Sequence, residues 1–343
     1  MILGKEALSL KRYKILQTVV LLTLIVSLAA GCGMAGEGSG QEQPGYVGEI
    51  IMEEVNIEEE TVALSDAAAA LPDTVTNAIK DAVASGTLVK QNQKAVIDYS
   101  NTKDGYVMVK YTAETTKRLK TQVKGPATTY TYNVTPGEWT TLPLSDGNGS
   151  YQISIYENVS GTKYAGVLSN TMQVTMTDEF APFIRPNQYV NYTSSSKAVA
   201  KAAELTKDVT KPLDKVAKVY DFVIGHLTYD TEKAQNVKSG YLPVLDDVLE
   251  QKKGICFDYA ALMTGMLRSQ DVPCKLVVGY AGSAYHAWIS VWTEENGWID
   301  GAIFFNGKTW QRMDPTFASS ANSSEAILKY IGDGSNYTAK YFY

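Results

Sequence analysis

Side chains that ligate metals or act as nucleophiles are scarce in this chain: its 343 residues include two histidines and three cysteines. The few histidines and the separated cysteines form no ligand cluster of the kind that holds zinc, so neither a metal nor another cofactor is expected. Charge of one sign is lacking as well. Lysine and arginine number 31 against 37 aspartates and glutamates, a formal net charge of −6 spread along the chain, and without a basic stripe nucleic acid is set aside as a partner. The apolar stretch from Ile15 to Ala30 falls short of the roughly 20 residues that a membrane-spanning helix usually requires. There is no internal repeat and no nucleotide-binding loop. What is present is 45% hydrophobic content, ordinary for a folded protein, over a length that suits two domains once the ends are set aside.

The short apolar stretch has a direction. Lys5, Lys11, Arg12 and Lys14 precede it, no charge interrupts it, and it closes on LAAGC at Cys32. A positive segment followed by an apolar one is the layout of an export signal, here residues 1–32, with an uncleaved anchor helix as the alternative. LAAGC resembles the lipobox of bacterial lipoproteins, with Ala29 where that motif more often has leucine. The resemblance implies cleavage before Cys32, lipidation of Cys32, and an extracytoplasmic chain held by its lipid at the outer face of the bacterial cell membrane. A folding disulfide would then need a spare pair of cysteines. With Cys32 lipidated, only Cys256 and Cys274 remain, and Cys274, at the start of the apolar run in DVPCKLVVGY, reads as a small buried hydrophobe.

Residues 33–90 read as a flexible acidic tether with short helices. Gly33–Gly48 is rich in Gly, Ser, Glu and Gln, an acidic run surrounds Glu53–Glu60, and Pro72 interrupts the helical stretch from Thr61 to Ala84. Residues 91–180 change to short runs of Val, Ile, Tyr and Thr divided by the turn signals KDG, TPG and DGNG. AVIDYS, YVMVKYT, TYTYNV, YQISIYE and MQVTMT predict alternating strands, hence an all-β sandwich of immunoglobulin-like type. Its many tyrosines fit packing on a pleated surface, and without acid, base and nucleophile together it reads as a spacer or binding module. Residues 181–343 form the last domain, entered by a connector near Pro182–Tyr192. There Leu213, Val216, Tyr220, Val223 and Leu227 fall at spacings of three and four, one face of an amphipathic helix with Pro212 in its first turn. His226, near the end of that helix, is placed to cap its carbonyls.

Three motifs in the last domain carry chemistry: GICFDYA at Gly254–Ala260, YHAWISV at Tyr285–Val291 and MDPTF at Met313–Phe317. Lys252, Lys253 and Gly254 break the preceding segment, and from Cys256 the apolar positions Tyr259, Ala260, Met263 and Leu267 return at helical spacing. Cys256 is therefore expected at or just before a helix N-terminus. Backbone N–H groups and the positive end of the helix dipole favour a thiolate there and suit an oxyanion as well. HAWISVW predicts a strand with His286, Trp288, Ser290 and Trp292 on one face and Ala287, Ile289 and Val291 on the other. Asp314 would end a later strand that Pro315 stops, where its carboxylate would set the tautomer of the imidazole. Taken singly these residues are a core cysteine, a structural histidine and a turn aspartate. Their joint occurrence, in a chain with two histidines, points instead to a nucleophile, its base and the orienter of that base.

The series KKGICFDYAALMTGMLRSQDVPCKLVVGY, YHAWISVW, GW and MDPTF resembles the core of the transglutaminase-like superfamily of papain-like cysteine enzymes, over about residues 195 to 318. YDFVIGHLTY also resembles the segment that precedes the cysteine helix in that family. The resemblance implies an α+β domain whose cysteine helix packs on an antiparallel sheet bearing the other two residues. It implies Cys256 as nucleophile, His286 as general base and acid, and Asp314 as orienter. GAIFFNGKTW, Gly301–Trp310, lengthens the hairpin before the Asp-Pro signal, so Asp300 of GWID is a rival to Asp314, which is favoured. The aromatic residues of that excursion suit either a wall of the substrate cleft or surface packing. Two functions follow. The first is acyl chemistry on peptide or protein amides through a Cys256 thioester, with hydrolysis slightly favoured over amine transfer. The second is a non-catalytic surface protein that binds peptide or cell-wall polymer.

Overall fold

Period-two alternation builds the first half of the fold in the computed structural model, which describes residues 79–282, 284–295, 297–299, 303–305, 310–312 and 337–343. LKTQVK shows the rule: Leu119, Thr121 and Val123 are buried, while Lys120, Gln122 and Lys124 lean outward. The strands here are β1 (Val89–Gln91), β2 (Ala95–Asp98), β3 (Tyr106–Tyr111), β4 (Leu119–Lys124), β5 (Thr129–Val134), β6 (Trp139–Pro143), β7 (Gly149–Ser160) and β8 (Lys163–Val174). They pair antiparallel in two four-stranded sheets, ordered β1-β2-β3-β6 and β5-β4-β7-β8. Ile97, Val107, Val109 and Leu142 of one sheet share a core with Val123, Ile153, Ile155 and Val174 of the other. Each such side chain contributes roughly 1.5–3 kcal/mol relative to leaving it exposed. The runs AVIDYS, YVMVKYT and TYTYNV correspond to β2, β3 and β5, YQISIYE lies within β7, and MQVTMT joins β8 only as far as Val174. β1, β4 and β6 fall outside the predicted runs, because β4 carries two lysines and a glutamine and β6 ends in a proline.

The second half is mixed α and β. It runs α1 (Lys197–Thr206), α2 (Pro212–His226), β9 (Thr228–Tyr229), α3 (Thr231–Asn236), α4 (Leu245–Gln251), β10 (Lys253–Gly254) and α5 (Cys256–Arg268). The strands β11 (Cys274–Ala281), β12 (Ala284–Thr293), β13 (Gly297–Ile299), β14 (Ile303–Phe305), β15 (Trp310–Arg312) and β16 (Tyr337–Phe342) follow. β13-β12-β11-β16 make an antiparallel sheet, and β14 pairs with β15 as a separate hairpin. The helix expected from Pro212 is α2, with Val216, Tyr220 and Val223 buried as predicted. His226 departs from expectation: its Nε2 meets the Leu249 carbonyl of α4 at 2.7 Å rather than a carbonyl of its own helix. The ring is drawn there by stacking on Phe222, at 4.7 Å between centroids. Every residue of α5 is buried, as befits a helix apolar on all sides, and α1, α2 and α4 pack around it while β11 and β12 cover another side.

The two halves meet through aromatic and backbone contacts of the connector. Gln188 exchanges hydrogen bonds with the backbone of Asn133 in β5, both at 2.9 Å, and the Tyr189 hydroxyl donates to the Thr131 carbonyl at 3.1 Å. Arg268, at the end of α5 and 2% exposed, donates to three carbonyls, those of Cys274, Arg185 and Tyr343. A buried guanidinium satisfied in this way ties α5, the connector and β16 together. Among the described residues no helix is long and apolar enough to cross a membrane. Residues 1–78, with Cys32, the expected export signal and most of the expected tether, lie outside the described residues.

Candidate active site

Local rules place Cys256 at the first position of α5. Lys252 takes the left-handed conformation, φ 55°, and ends α4. Lys253 and Gly254 then pair in parallel with Thr228 and Tyr229, and Ile255 stays extended at φ −94° and ψ 175° before the helix begins. Isoleucine has no side-chain acceptor with which to cap a helix. Asp258, in the first turn, supplies part of the missing cap, since its Oδ2 accepts the Ile255 backbone N–H at 2.8 Å, the returning arm of a capping box. A Cβ on Gly254 would stand 2.6 Å from the Asp258 Cβ, so glycine is what lets the carboxylate fold back. Cys256 itself is 5% exposed and forms no disulfide among the described residues. The amides of the first turn point out of the helix start, where they favour negative charge on a neighbouring sulfur or oxygen.

The Asp258 carboxylate is fully buried and held on three sides. Besides Ile255, Oδ2 accepts from Lys233 Nζ at 2.7 Å, and Oδ1 accepts from the Tyr241 hydroxyl at 2.5 Å. Burial and the adjacent Asp258 charge hold the Tyr241 hydroxyl well above its ordinary titration range, so it serves as a donor. Sequence motifs did not single out Lys233, Tyr241 or Asp258, although Asp258 stands three residues after Ile255, the spacing of a capping box.

His286 lies on β12, opposite Gly279 of β11, and is 1% exposed. Trp288 stacks with its imidazole at 6.3 Å, and Tyr337 of β16 meets it edge-on at the same separation. Gly279 makes room for this layer, since a Cβ there would come within 2.0 Å of the Thr338 carbonyl oxygen and 2.9 Å of the Trp288 ring. The opposite face of β12, Ala287, Ile289 and Val291, is wholly buried, in the alternation expected, and the strand packs on α5. Tyr285, one residue before His286, titrates well above the usual phenol range because of burial first, then the Tyr341, Tyr280 and Tyr189 hydroxyls and Cys256. The start of the helix and the start of the strand therefore lie within electrostatic reach of each other. Asp314 and its rival Asp300 are outside the described residues, as is Cys32.

Cys274 is a different kind of thiol. It is fully buried at the start of β11, donates weakly to the Thr264 hydroxyl at 3.6 Å, and is pushed up to about 12 by burial. The excursion Gly301–Trp310 supplies β14 and leads into β15.

Residues 199–315 match the family model of the transglutaminase-like superfamily core. The uncharacterized protein YebA of Bacillus subtilis is 29% identical over 117 residues, 29% of this chain and 16% of that protein. The kyphoscoliosis peptidase of Mus musculus is 29% identical over 120 residues, covering 34% of this chain and 17% of the relative. The protein-glutamine gamma-glutamyltransferase of Pseudomonas aeruginosa is 31% identical over 70 residues, 16% of this chain and 10% of the relative. The chain thus spans less than a fifth of the length of these curated relatives.

Proposed function

From the transglutaminase-like core that residues 199–315 carry, we infer that this protein performs cysteine-dependent acyl chemistry on peptide or protein amides. The observation that carries the reading is Cys256 at the first position of the buried helix α5, with β12, the strand that bears His286, packed along that helix. His286 takes the thiol proton and the Cys256 sulfur attacks the amide carbon, whose oxygen becomes an oxyanion steadied by the first-turn amides. The carbon–nitrogen bond breaks, the proton passes from His286 to the departing amine, and a thioester remains. Water or a second amine then attacks the thioester and releases the thiol. Attack by water makes the protein a protease or amidase, attack by an amine makes it a cross-linking enzyme, and hydrolysis is the reading we favour. Asp314, ahead of Asp300, is assigned the role of orienting the imidazole.

The same reading extends to the ends of the chain. Cys32 in LAAGC carries lipid and holds the chain at the outer face of the bacterial membrane, near peptide or protein substrates of the cell envelope. The two-sheet order of the first half, with the chain changing sheet between β3 and β4, between β5 and β6 and between β6 and β7, supports an immunoglobulin-like spacer.

Labelling with an iodoacetamide probe at neutral pH tests the chemistry. Fast labelling that is lost in Cys256→Ala and slowed in His286→Ala is the expected result. Slow labelling that ignores His286→Ala would favour a surface protein that binds without catalysis. Release from the membrane fraction by Cys32→Ser tests the anchor.

A further inference from the structure

We propose that Lys233 and Tyr241 are positioning residues that balance the charge of Asp258 and so leave the positive end of α5 to the Cys256 thiolate; this rests on the reading of Cys256 as nucleophile. Asp258 shares the first turn of the helix with Cys256. A buried carboxylate there has two opposed effects. It holds the Ile255 N–H that the isoleucine side chain leaves uncapped, and its negative charge competes with the thiolate for the same dipole.

The geometry resolves the conflict by closing a neutral unit around the carboxylate. Lys233 Nζ donates to Asp258 Oδ2 at 2.7 Å and to the Tyr241 oxygen at 2.6 Å, and the Tyr241 hydroxyl donates to Asp258 Oδ1. The ammonium also stands 4.2 Å from the centroid of the Tyr241 ring, and that ring meets Phe257, the residue after Cys256, edge-on at 6.2 Å. Lys233 is pre-positioned by its own helix. Asp230 caps α3 by accepting the Lys233 backbone N–H at 2.9 Å, and the Asp230 N–H donates to the Gly254 carbonyl at 2.9 Å. The segment that presents the cation is thereby fastened to the run that leads into Cys256.

A buried ion pair of this kind adds little net stability compared with apolar packing of equal volume, so a role in setting the local field accounts for it better. The titratable groups around the helix start are Asp258 on α5, Lys233 on α3, Tyr241 in the following loop and Asp247 of α4, which acts on Tyr241. From β12, Tyr285 is coupled to Cys256, and His286 is the next residue along that strand.

The test follows alkylation of Cys256 by iodoacetamide against pH in the full chain. Peptide mass spectrometry keeps Cys32 and Cys274 out of the reading. Lys233→Gln keeps a hydrogen-bond donor and removes the charge, so the alkylation midpoint should rise by about one pH unit, a tenfold loss of thiolate below it. Lys233→Arg should stay at the wild-type midpoint, and Lys233→Gln with Asp258→Asn should return to it. Asp258→Asn alone, which leaves the cation unbalanced, should lower the midpoint and serves as the measure should Lys233→Gln fail to fold. A purely structural role would lower the melting temperature and leave the midpoints in place, and that outcome overturns the proposal. So does a double variant shifted as far as Lys233→Gln alone. A wild-type midpoint near the ordinary thiol value of about 8.5 would defeat the nucleophile reading itself, whereas a low wild-type midpoint that Lys233→Gln does not move defeats only the charge balance.

Discussion

The ring of Tyr343 stacks on that of Tyr189 with centroids 3.8 Å apart and planes 19° from parallel. Tyr130 and Tyr132 of the first half meet Tyr343 edge-on at 5.7 and 6.0 Å, and Tyr189 reaches Phe257 at 6.2 Å. Offset and edge-on ring contacts of this kind add about 0.5–1.5 kcal/mol each beyond the area they bury. A continuous aromatic path therefore runs from the β-rich half to the residue beside Cys256. The tyrosines that composition assigned to pleated-surface packing include this joint.

Tyr189 is 3% exposed, so Tyr189→Ala opens a cavity at the joint and should cost about 3 kcal/mol of stability. Tyr189→Phe keeps the rings together and loses the hydroxyl's bonds to the Thr131 carbonyl and to the Tyr343 side chain, for about 1–2 kcal/mol. Chemical denaturation should rank the two variants in that order. Equal losses would mean that the hydroxyl, not the stacking, carries the joint.

Arg268→Met leaves the Cys274 and Arg185 carbonyls without the guanidinium donors that now reach them and the Tyr343 oxygen with the Leu276 N–H alone. Stranded buried acceptors make this a loss of about 3 kcal/mol. Arg268→Lys should recover only part of it, because one ammonium lacks the planar fork that serves three carbonyls. Thermal melting of both variants checks the order.

Glu157 sets an acid limit on the first half. Its carboxylate accepts from Lys117 and from the Tyr111 hydroxyl, with Lys94 3.5 Å away, and these partners lower it from 4.5 to about 2. A carboxylate held lower in the folded state than in the unfolded one stabilises fully above pH 4.5, and that contribution fades as pH falls toward 2. Glu157→Gln should therefore melt at a lower temperature than the wild type at neutral pH, and the gap should close on acidification across that window. A gap that stays constant with pH would contradict the assignment.

Cys274 should stay unlabelled in the native protein, because burial holds its thiol at about 12, and should react once the chain is unfolded in denaturant. Cys274→Ala should leave Cys256 labelling unchanged and cost roughly 1 kcal/mol or a little more. Native labelling at Cys274 would contradict its place in the core.

Much of this architecture was legible because burial writes period into sequence. The α2 helix, the helix start at Cys256 and the alternation of β12 follow from apolar spacing alone. β4 was not legible, since its inward Thr121 is as buried as Val123 but reads as polar; the threonine hydroxyl is satisfied by the Ser154 carbonyl of the neighbouring strand at 3.1 Å. The partner of His226 was missed for a related reason, because the Leu249 carbonyl belongs to a different helix and local spacing says nothing of it. In the candidate site, Cys256 and His286 were read from their motifs. The Asp258 cluster was not, because Lys233 and Tyr241 come to the carboxylate from 25 and 17 residues away and only the fold joins them.

A nucleophilic Cys256 should take an acyl group from an activated ester. Incubating the full chain with p-nitrophenyl acetate, quenching in acid and mapping the acetyl group by peptide mass spectrometry tests it directly. The expected result is a hydroxylamine-sensitive acetyl group on Cys256, formed more slowly in His286→Ala, absent in Cys256→Ala and absent from Cys274. An acetyl group that forms at the same rate in His286→Ala, or that settles on other residues while Cys256 stays unmodified, would contradict it.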